Sequence, residues 1–459
     1  SDTQRENIRH QTGSDTAAKQ GRRVRQVLRT AAQKQQAAQQ WKKLRHRARS
    51  APVRARTYSL SVHRRHSTYM DFLLITDSDA LAAYTGRART ATSLCVDTKF
   101  MRERTYWPQL ALVQVCAEGE CAVIDPLAFD AREGLRALLG APEQIKVFHA
   151  AGQDMEVLHH TLGMAPAPVF DTQLAASLLG YGDQIGYGAL VEKTLGEVLP
   201  KAFSRMDWMA RPIDPDALDY AAADVIWLEG AYAKLCEELE RLGRSGWLDE
   251  DLAAISRPER WVVKPDNAWR KLKGIRKLRP NQRHVAARVC AWRETTALAR
   301  NLPRRWVLKD DVVLDIARRK PRQTSELQRI RGLEDKAIAR DGEAILAAVA
   351  GDQSWPDLDT KDERPLPAEA EPVVDALMAL LRQQALSHQM TASAIAGRAE
   401  LTRLAAGDRD LDLLEGWRAR VAGDALVAFL PCPSATPYAA DDLPLLLPGV
   451  RRSCQYNTT

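Results

Sequence analysis

Asp97 sits where an apolar run is interrupted. Leu94, Cys95 and Val96 begin a strand, Asp97 follows with a carboxylate, and Lys99 comes two residues later. Side chains two apart on a strand project from the same face, so Asp97 and Lys99 share one. A carboxylate lifted from a buried strand costs free energy unless it is paired or binds a metal. Alone, Asp97 reads equally well as a functional carboxylate or as a residue that merely ends a strand or caps a helix. Two further stretches tip the balance. Residues 147–158 (VFHAAGQDMEVL) read as a short strand, a small-residue turn and a helix start, with Asp154 in the first turn. Residues 218–228 (LDYAAADVIWL) are helical by composition and place Tyr220 and Asp224 at i and i+4, on one face. Three separated segments thus each offer one acid from an apolar setting.

The elements that must position these groups alternate between residues 70 and 239. Residues 72–75, 94–96, 110–115, 122–124 and 146–149 read as strands, and 78–84, 132–139, 154–162, 171–179 and 216–235 as helices. That is an α/β domain on a mixed sheet. Residues 180–188 (GYGDQIGYG) are rich in glycine, yet they neither follow a strand nor open a helix with phosphate-loop spacing, so no nucleotide loop is expected.

Residues 257–331 carry 22 Lys/Arg against 7 Asp/Glu, interleaved with helical apolar stripes at Val285, Val289 and Trp292 and at Val312, Leu314 and Ile316. So large an excess of one sign points to a surface that contacts phosphate. Residues 353–369, around WPDLDTKDERPLP, form a polar, proline-bearing linker. Residues 370–430 are helical again, with Val374, Leu377, Leu380 and Leu381 at core spacing, and 431–459 read as an irregular tail.

At 459 residues the chain is long enough for two or three domains, and no apolar run is long enough to span a bilayer. Its seven cysteines are scattered and lack any CxxC pair, which argues for a reducing, cytoplasmic setting and against a zinc site or a disulfide framework. Residues 1–69 stand apart, with 17 Lys/Arg against 3 Asp/Glu, while the whole chain is only +7. The basic balance therefore belongs to this extension. Low-complexity QKQQAAQQWKK and the scarcity of large apolar residues rule out a core there. A misassigned start, a disordered basic arm and a transit-like segment are the readings, in that order.

Longer stretches carry a resemblance: DTxFMRERTYWPQL (x being Lys99), KVFHAAGQD, PVFDTQLAASLLGYGDQIGYGALV and LDYAAADV. With these, residues 70–430 resemble the DEDD superfamily of 3′→5′ exonucleases, in the branch with a tyrosine in the third motif, and within it the ribonuclease D family. MDFLLITDSDALAAY, starting at Met70, looks like the family's opening. The resemblance implies a ribonuclease H-like exonuclease domain over 70–239. It also implies two all-α HRDC domains, one over 257–352 (Trp269, KLKGIRKLRPNQ, LPRRWVLKDDVVLDIARRKP, LQRIRGL) and a more divergent one over 370–430.

The implied activity is trimming of RNA from a free 3′ end, tRNA precursors included, with release of 5′-mononucleotides by two-metal hydrolysis using Mg2+ or Mn2+. Carried over by position, Asp97 would bridge both ions, Asp224 would hold the ion that binds the attacking water, Asp154 would support the other, and Tyr220 would orient the nucleophile. One position departs. The family motif Asp-Thr-Glu reads Asp97-Thr98-Lys99 here. An ammonium about 4 Å from a divalent ion is repelled by about 8 kcal/mol at an effective dielectric of 20, although a lysine can swing away. The expectation is therefore an exoribonuclease with an impaired site. The alternative is a catalytically inactive RNA-binding protein in which Lys99 substitutes for one ion and pairs with the acids or a phosphate. A DNA 3′→5′ exonuclease shares the acid pattern, but HRDC-like repeats and the lack of a polymerase region argue against it.

Overall fold

A computed structural model describes residues 72–199, 206–355, 358 and 371–430. The expectations for 1–69 and 431–459, and for most of the 353–369 linker, lie outside these residues. The described chain forms two compact units, one running to residue 364 and taking in Gln389–Ala394, the other holding Pro365–His388 and the residues from Ile395 on.

The first unit is built on six strands: β1 (Leu73–Ile75), β2 (Ser93–Met101), β3 (Gln109–Ala117), β4 (Glu120–Ile124), β5 (Ile145–Phe148) and β6 (Val169–Asp171). Their order is β1-β4-β3-β2-β5-β6, with β2–β3 and β3–β4 antiparallel and the other pairs parallel. The mixed α/β reading holds. A boundary that matters for the site changes at β2, which does not stop at Asp97 but runs on to Met101. The carboxylate has partners on the sheet itself, so nothing forces the strand to end there. β6 had no separate sequence signal, because three residues are too few to show an alternation.

Helices α1 (Ser78–Ala88), α2 (Arg132–Leu139) and α3 (Gly152–Leu162) cover one face, where Leu81, Leu94, Val96, Leu135, Phe148 and Leu158 join a common core. Helices α4 (Thr172–Leu178) and α5 (Tyr187–Leu195) lead to the 27-residue α6 (Pro215–Arg241). The glycine-rich stretch does run into a helix, since Gly186 caps α5, but it follows a helix rather than the strand a phosphate loop requires. α6 starts where Asp214 accepts from the Asp216 amide at 2.9 Å and Pro215 fills the first turn. Its small residues Ala217, Ala221 and Ala222 pack on Ala111, Leu112 and Val123 of the sheet's other face. Alanines there let the helix backbone come close, so short side chains on α6 and β2 can meet.

Cys116 and Cys121 are joined by a disulfide, contrary to the expectation of none. The reason is register: they lie directly opposite in β3 and β4, across a two-residue turn whose Glu118 and Gly119 both have positive φ. Cys95 and Cys290 are buried thiols outside any disulfide. No helix among the described residues is long and apolar enough to cross a membrane.

After α7 (Asp249–Ile255), the helical part of the first unit is formed by α8 (Pro280–Arg300), α9 (Arg304–Val307), α10 (Asp310–Arg319), α11 (Thr324–Leu327) and α12 (Asp335–Ala350). Of the expected stripe residues, Val285, Val289, Val312 and Ile316 are buried in its core, with Trp292 and Leu314 packed at its edge. In the second unit Val374, Leu377 and Leu381 of Glu371–Ser387 are buried, while Leu380 is half-buried.

One buried cation braces the parallel side of the sheet. Lys146 of β5 is fully buried, and its ammonium donates to the carbonyls of Ala141 (2.5 Å), Gln144 (2.6 Å) and Ala167 (2.7 Å). Lys146→Met keeps the stem's packing but takes this donor from the Gln144 and Ala167 carbonyls and leaves Ala141 only the Gln144 amide at 3.4 Å. Each unsatisfied buried acceptor costs about 1–3 kcal/mol. Urea denaturation should show the variant less stable by at least that single-group amount; unchanged stability would mean that other donors replace the ammonium.

Candidate active site

β2 presents Asp97 and Lys99 on the face that α6 crosses, and Asp224 on α6 completes a triad. The Lys99 ammonium donates to Asp97 Oδ2 at 2.6 Å and to Asp224 Oδ2. It also lies 5.6 Å from the Tyr220 ring and 5.8 Å from that of Trp208, within range of a cation–π attraction. Trp208 and Tyr220 are themselves stacked, 6.4 Å apart. Burial disfavours the Lys99 charge, but Asp97 and Asp224 together outweigh it and hold the ammonium well above the usual lysine range. Asp224 is pushed up to about 6 by burial, against the pull of Lys99.

Beneath Asp97, fully buried Gln114 occupies the opposing position on β3. With its amide nitrogen turned toward Asp97, it donates to the carbonyl at 2.9 Å and to Oδ2 at 3.2 Å. The β2–β3 register shifts between Lys99 and Phe100, just beyond the triad.

Asp154 does not join this cluster. From the first turn of α3 its Oδ1 accepts from the Thr98 amide at 3.1 Å and the Thr98 hydroxyl at 2.5 Å. Thr98 lies between Asp97 and Lys99, and its side chain takes the other face of the strand. Burial, with the nearby Asp97 charge, pushes the Asp154 carboxyl up to about 8. The loop leading into α3 is held by Asp171, whose oxygens accept from Ala150 N (3.1 Å) and Ala151 N (2.9 Å) and also cap α4 through Gln173 N (2.8 Å).

Sequence reasoning named Asp97, Lys99, Asp154, Tyr220 and Asp224 but missed Thr98, Gln114, Asp171 and Trp208. Gln114 had a readable signal, a lone amide in the apolar run LALVQV. Trp208 had none.

These side chains do not fit a pair of divalent ions in this arrangement. The oxygens of Asp97 and Asp224 that face each other are both taken by the Lys99 ammonium, and Asp154 is turned to Thr98. Among the described residues no cluster of three acidic, histidine or cysteine side chains is placed to hold a metal. Two carboxylates and one ammonium leave the triad at −1.

A family model for 3′-5′ exonucleases matches residues 72–240, and one for HRDC domains matches residues 282–349. Ribonuclease D of Sphingobium indicum is 40% identical over 358 residues, which cover 75% of this chain and 91% of that protein. The chain belongs to the ribonuclease D family. Ribonuclease D of Gluconacetobacter diazotrophicus is likewise 40% identical over 371 residues, covering 78% of this chain and 93% of that protein. The crystal structure of Escherichia coli RNase D superposes with a TM-score of 0.67 at 30% identity, covering 78% of this chain and 98% of that one. By family, then, this ribonuclease D relative is a 3′→5′ exoribonuclease, a hydrolase of phosphodiester bonds, with the α/β nuclease domain followed by helical HRDC structure.

The strongly basic stretch is only partly a free surface. Arg293, Arg300 and Arg304 pair with Asp310, Asp341 and Glu294, and Arg283 and Arg288 bind backbone carbonyls. Lys271, Lys273, Arg276, Lys277 and Arg279 are exposed.

If Lys99 takes the place of a cation, Lys99→Met leaves two facing carboxylates without one. In metal-free buffer the variant should melt at least about 2–4 °C lower, the shift that about 1 kcal/mol produces in a domain of this size. Millimolar Mg2+ should then raise its melting temperature while moving the parent little, because only the variant has a vacated cation position. An equal Mg2+ response in both proteins would contradict this assignment.

Proposed function

We propose that the chain engages the free 3′ end of structured RNA, tRNA precursors among them, and trims it 3′→5′ with release of 5′-mononucleotides at a rate that Lys99 holds down. The reading rests on one observation above all: Asp97 and Asp224 converge on a single point, with Tyr220 beside it, and an ammonium fills that point. RNA as substrate is supported by the likeness to E. coli RNase D, described as an exoribonuclease involved in structured RNA processing. The exposed lysines and arginines of residues 271–279 suit a phosphate backbone.

The chain's own residues have definable parts. Burial and the Asp224 charge raise the Tyr220 hydroxyl above its usual value, so it stays protonated and serves as a hydrogen-bond donor to an oxygen near the scissile phosphate. Lys99 brings the triad to −1 where a glutamate would make it −3. A phosphodiester is therefore repelled less, but the negative field that gathers divalent cations is weakened. Mg2+ or Mn2+, two per site, would be held by Asp97, Asp224 and a carboxylate at position 99, and would supply charge stabilisation at the phosphate and activation of water. The weaker repulsion also favours a second reading, an RNA 3′-end binder in which Lys99 contacts phosphate and hydrolysis is lost.

Trimming of a 5′-labelled RNA with a single-stranded 3′ tail, in Mg2+ or Mn2+, separates the two. Lys99→Glu should accelerate release of mononucleotides at least about a hundredfold, equivalent to roughly 2.7 kcal/mol of barrier, and Asp224→Ala added to it should abolish trimming. A parent as fast as Lys99→Glu would mean that Lys99 does not restrain the site. Inactivity of both would exclude trimming and leave the binding reading, which retained affinity of the parent for the tailed RNA would carry.

A further inference from the structure

The loop that leaves the catalytic strand is fastened to the HRDC helices. Five residues after Met101 closes β2, the hydroxyl of buried Tyr106 donates to Glu294 Oε1 of α8. The amides of Tyr106 and Trp107 donate to Oδ1 of Asn301, which ends α8, at 3.1 and 3.2 Å. Arg304, first residue of α9, donates to Glu294 Oε2 at 2.5 Å and lies over the Tyr106 ring at 5.4 Å. On its other side Trp107 stacks on His160 of α3, the helix that carries Asp154, with ring centroids 4.1 Å apart and planes within 9°. Val307 at the end of α9 is buried against Tyr106 and Ala297. A helix of only four residues is thus held at both ends, by Arg304 and by Val307.

Between those anchors, Trp306 and Arg305 turn outward. Trp306 is 59% exposed, between the anchored Arg304 and the buried Val307. A single exposed apolar residue needs no explanation by itself; its neighbours give this one a meaning. Arg305 and Lys309 flank it and are exposed. The acid nearest Arg305, Asp310 at 3.9 Å, is already committed to Arg293 at 2.7 Å. Asp310 and Asp311 open α10, where negative charge suits the positive end of the helix.

We propose that Trp306 is a stacking platform for an unpaired base of RNA, with Arg305 and Lys309 taking the adjoining phosphates. An indole offers a π-face that any base can cover, and flanking cations suit the backbone that carries it. The platform rests on the reading of the chain as an RNA-trimming protein. It deepens that reading by naming single-stranded RNA, rather than a duplex end, as what this surface holds. The Tyr106–Glu294–Arg304 network then ties the stacked nucleotide to the strand that bears Asp97 and Lys99.

The test measures binding of the full chain to two labelled RNAs, a stem with a single-stranded 3′ tail and the same stem with a blunt end. Trp306→Ala should weaken binding of the tailed RNA about tenfold, in the range of a lost base–aromatic stack. Trp306→Phe should retain most of the affinity. The blunt stem should bind the variants and the parent alike. The dependence of log K on log salt should keep its slope, since stacking releases no counterions. Unchanged affinity of Trp306→Ala for the tailed RNA would overturn the platform, as would an equal loss on both RNAs. RNA affinity like the parent's, together with lost self-association in gel filtration, would assign Trp306 to a protein contact and also overturn it. If the parent binds neither RNA, the RNA-trimming reading itself falls, and the platform with it.

Discussion

A single ammonium between two carboxylates sets the terms for this site. Asp97 and Asp224 come from a strand and a helix far apart in sequence, and Lys99, 125 residues before Asp224, donates to both. Two like charges facing each other across a partly buried gap would repel; the cation makes their approach favourable. In a chain with a carboxylate at position 99, that approach would have to await ions from solution. Here the compensating charge is covalently attached and always present. The docking of α6 on β2 is thus compensated from within, down to a net −1, which stabilises the fold while opposing the capture of divalent cations.

The rest of the nuclease domain serves this approach. Alanines on α6 bring it close to β2, Gln114 supports Asp97 from β3, and Trp208 and Tyr220 place aromatic faces beside the ammonium. Asp154 stays apart, bound to Thr98 on the strand's opposite face and pushed up by burial. The site is therefore an ion triad with a neighbouring protonatable acid, not a ring of carboxylates around an open centre. Membership of the ribonuclease D family accounts for where these residues stand; the chemistry of position 99 decides what they hold.

Much of this was legible in the residues. The alternation of apolar runs showed the order of strands and helices apart from β6 and α5, because burial on a sheet leaves a periodic trace that single substitutions do not erase. Tyr220 and Asp224 could be placed on one helical face from their spacing alone, and Asp97 and Lys99 on one strand face. Other features left no such trace. Asp97 looked like the end of a strand because a lone carboxylate in an apolar run has no visible partner; Lys99 and Gln114 become its partners only in the folded sheet. The Cys116–Cys121 pair was hidden because a separation of five means nothing until the hairpin register puts the two residues opposite each other. The charge excess of the helical region overstated its free surface, since several arginines are spent on internal acids and carbonyls, which composition cannot reveal.

The most direct measurement is anomalous scattering at the manganese edge from crystals of the chain grown or soaked with Mn2+. The account predicts ordered Lys99 density reaching Asp97 and Asp224, and no manganese peak between those two carboxylates. A manganese ion coordinated by both, with Lys99 swung out toward solvent, would contradict it.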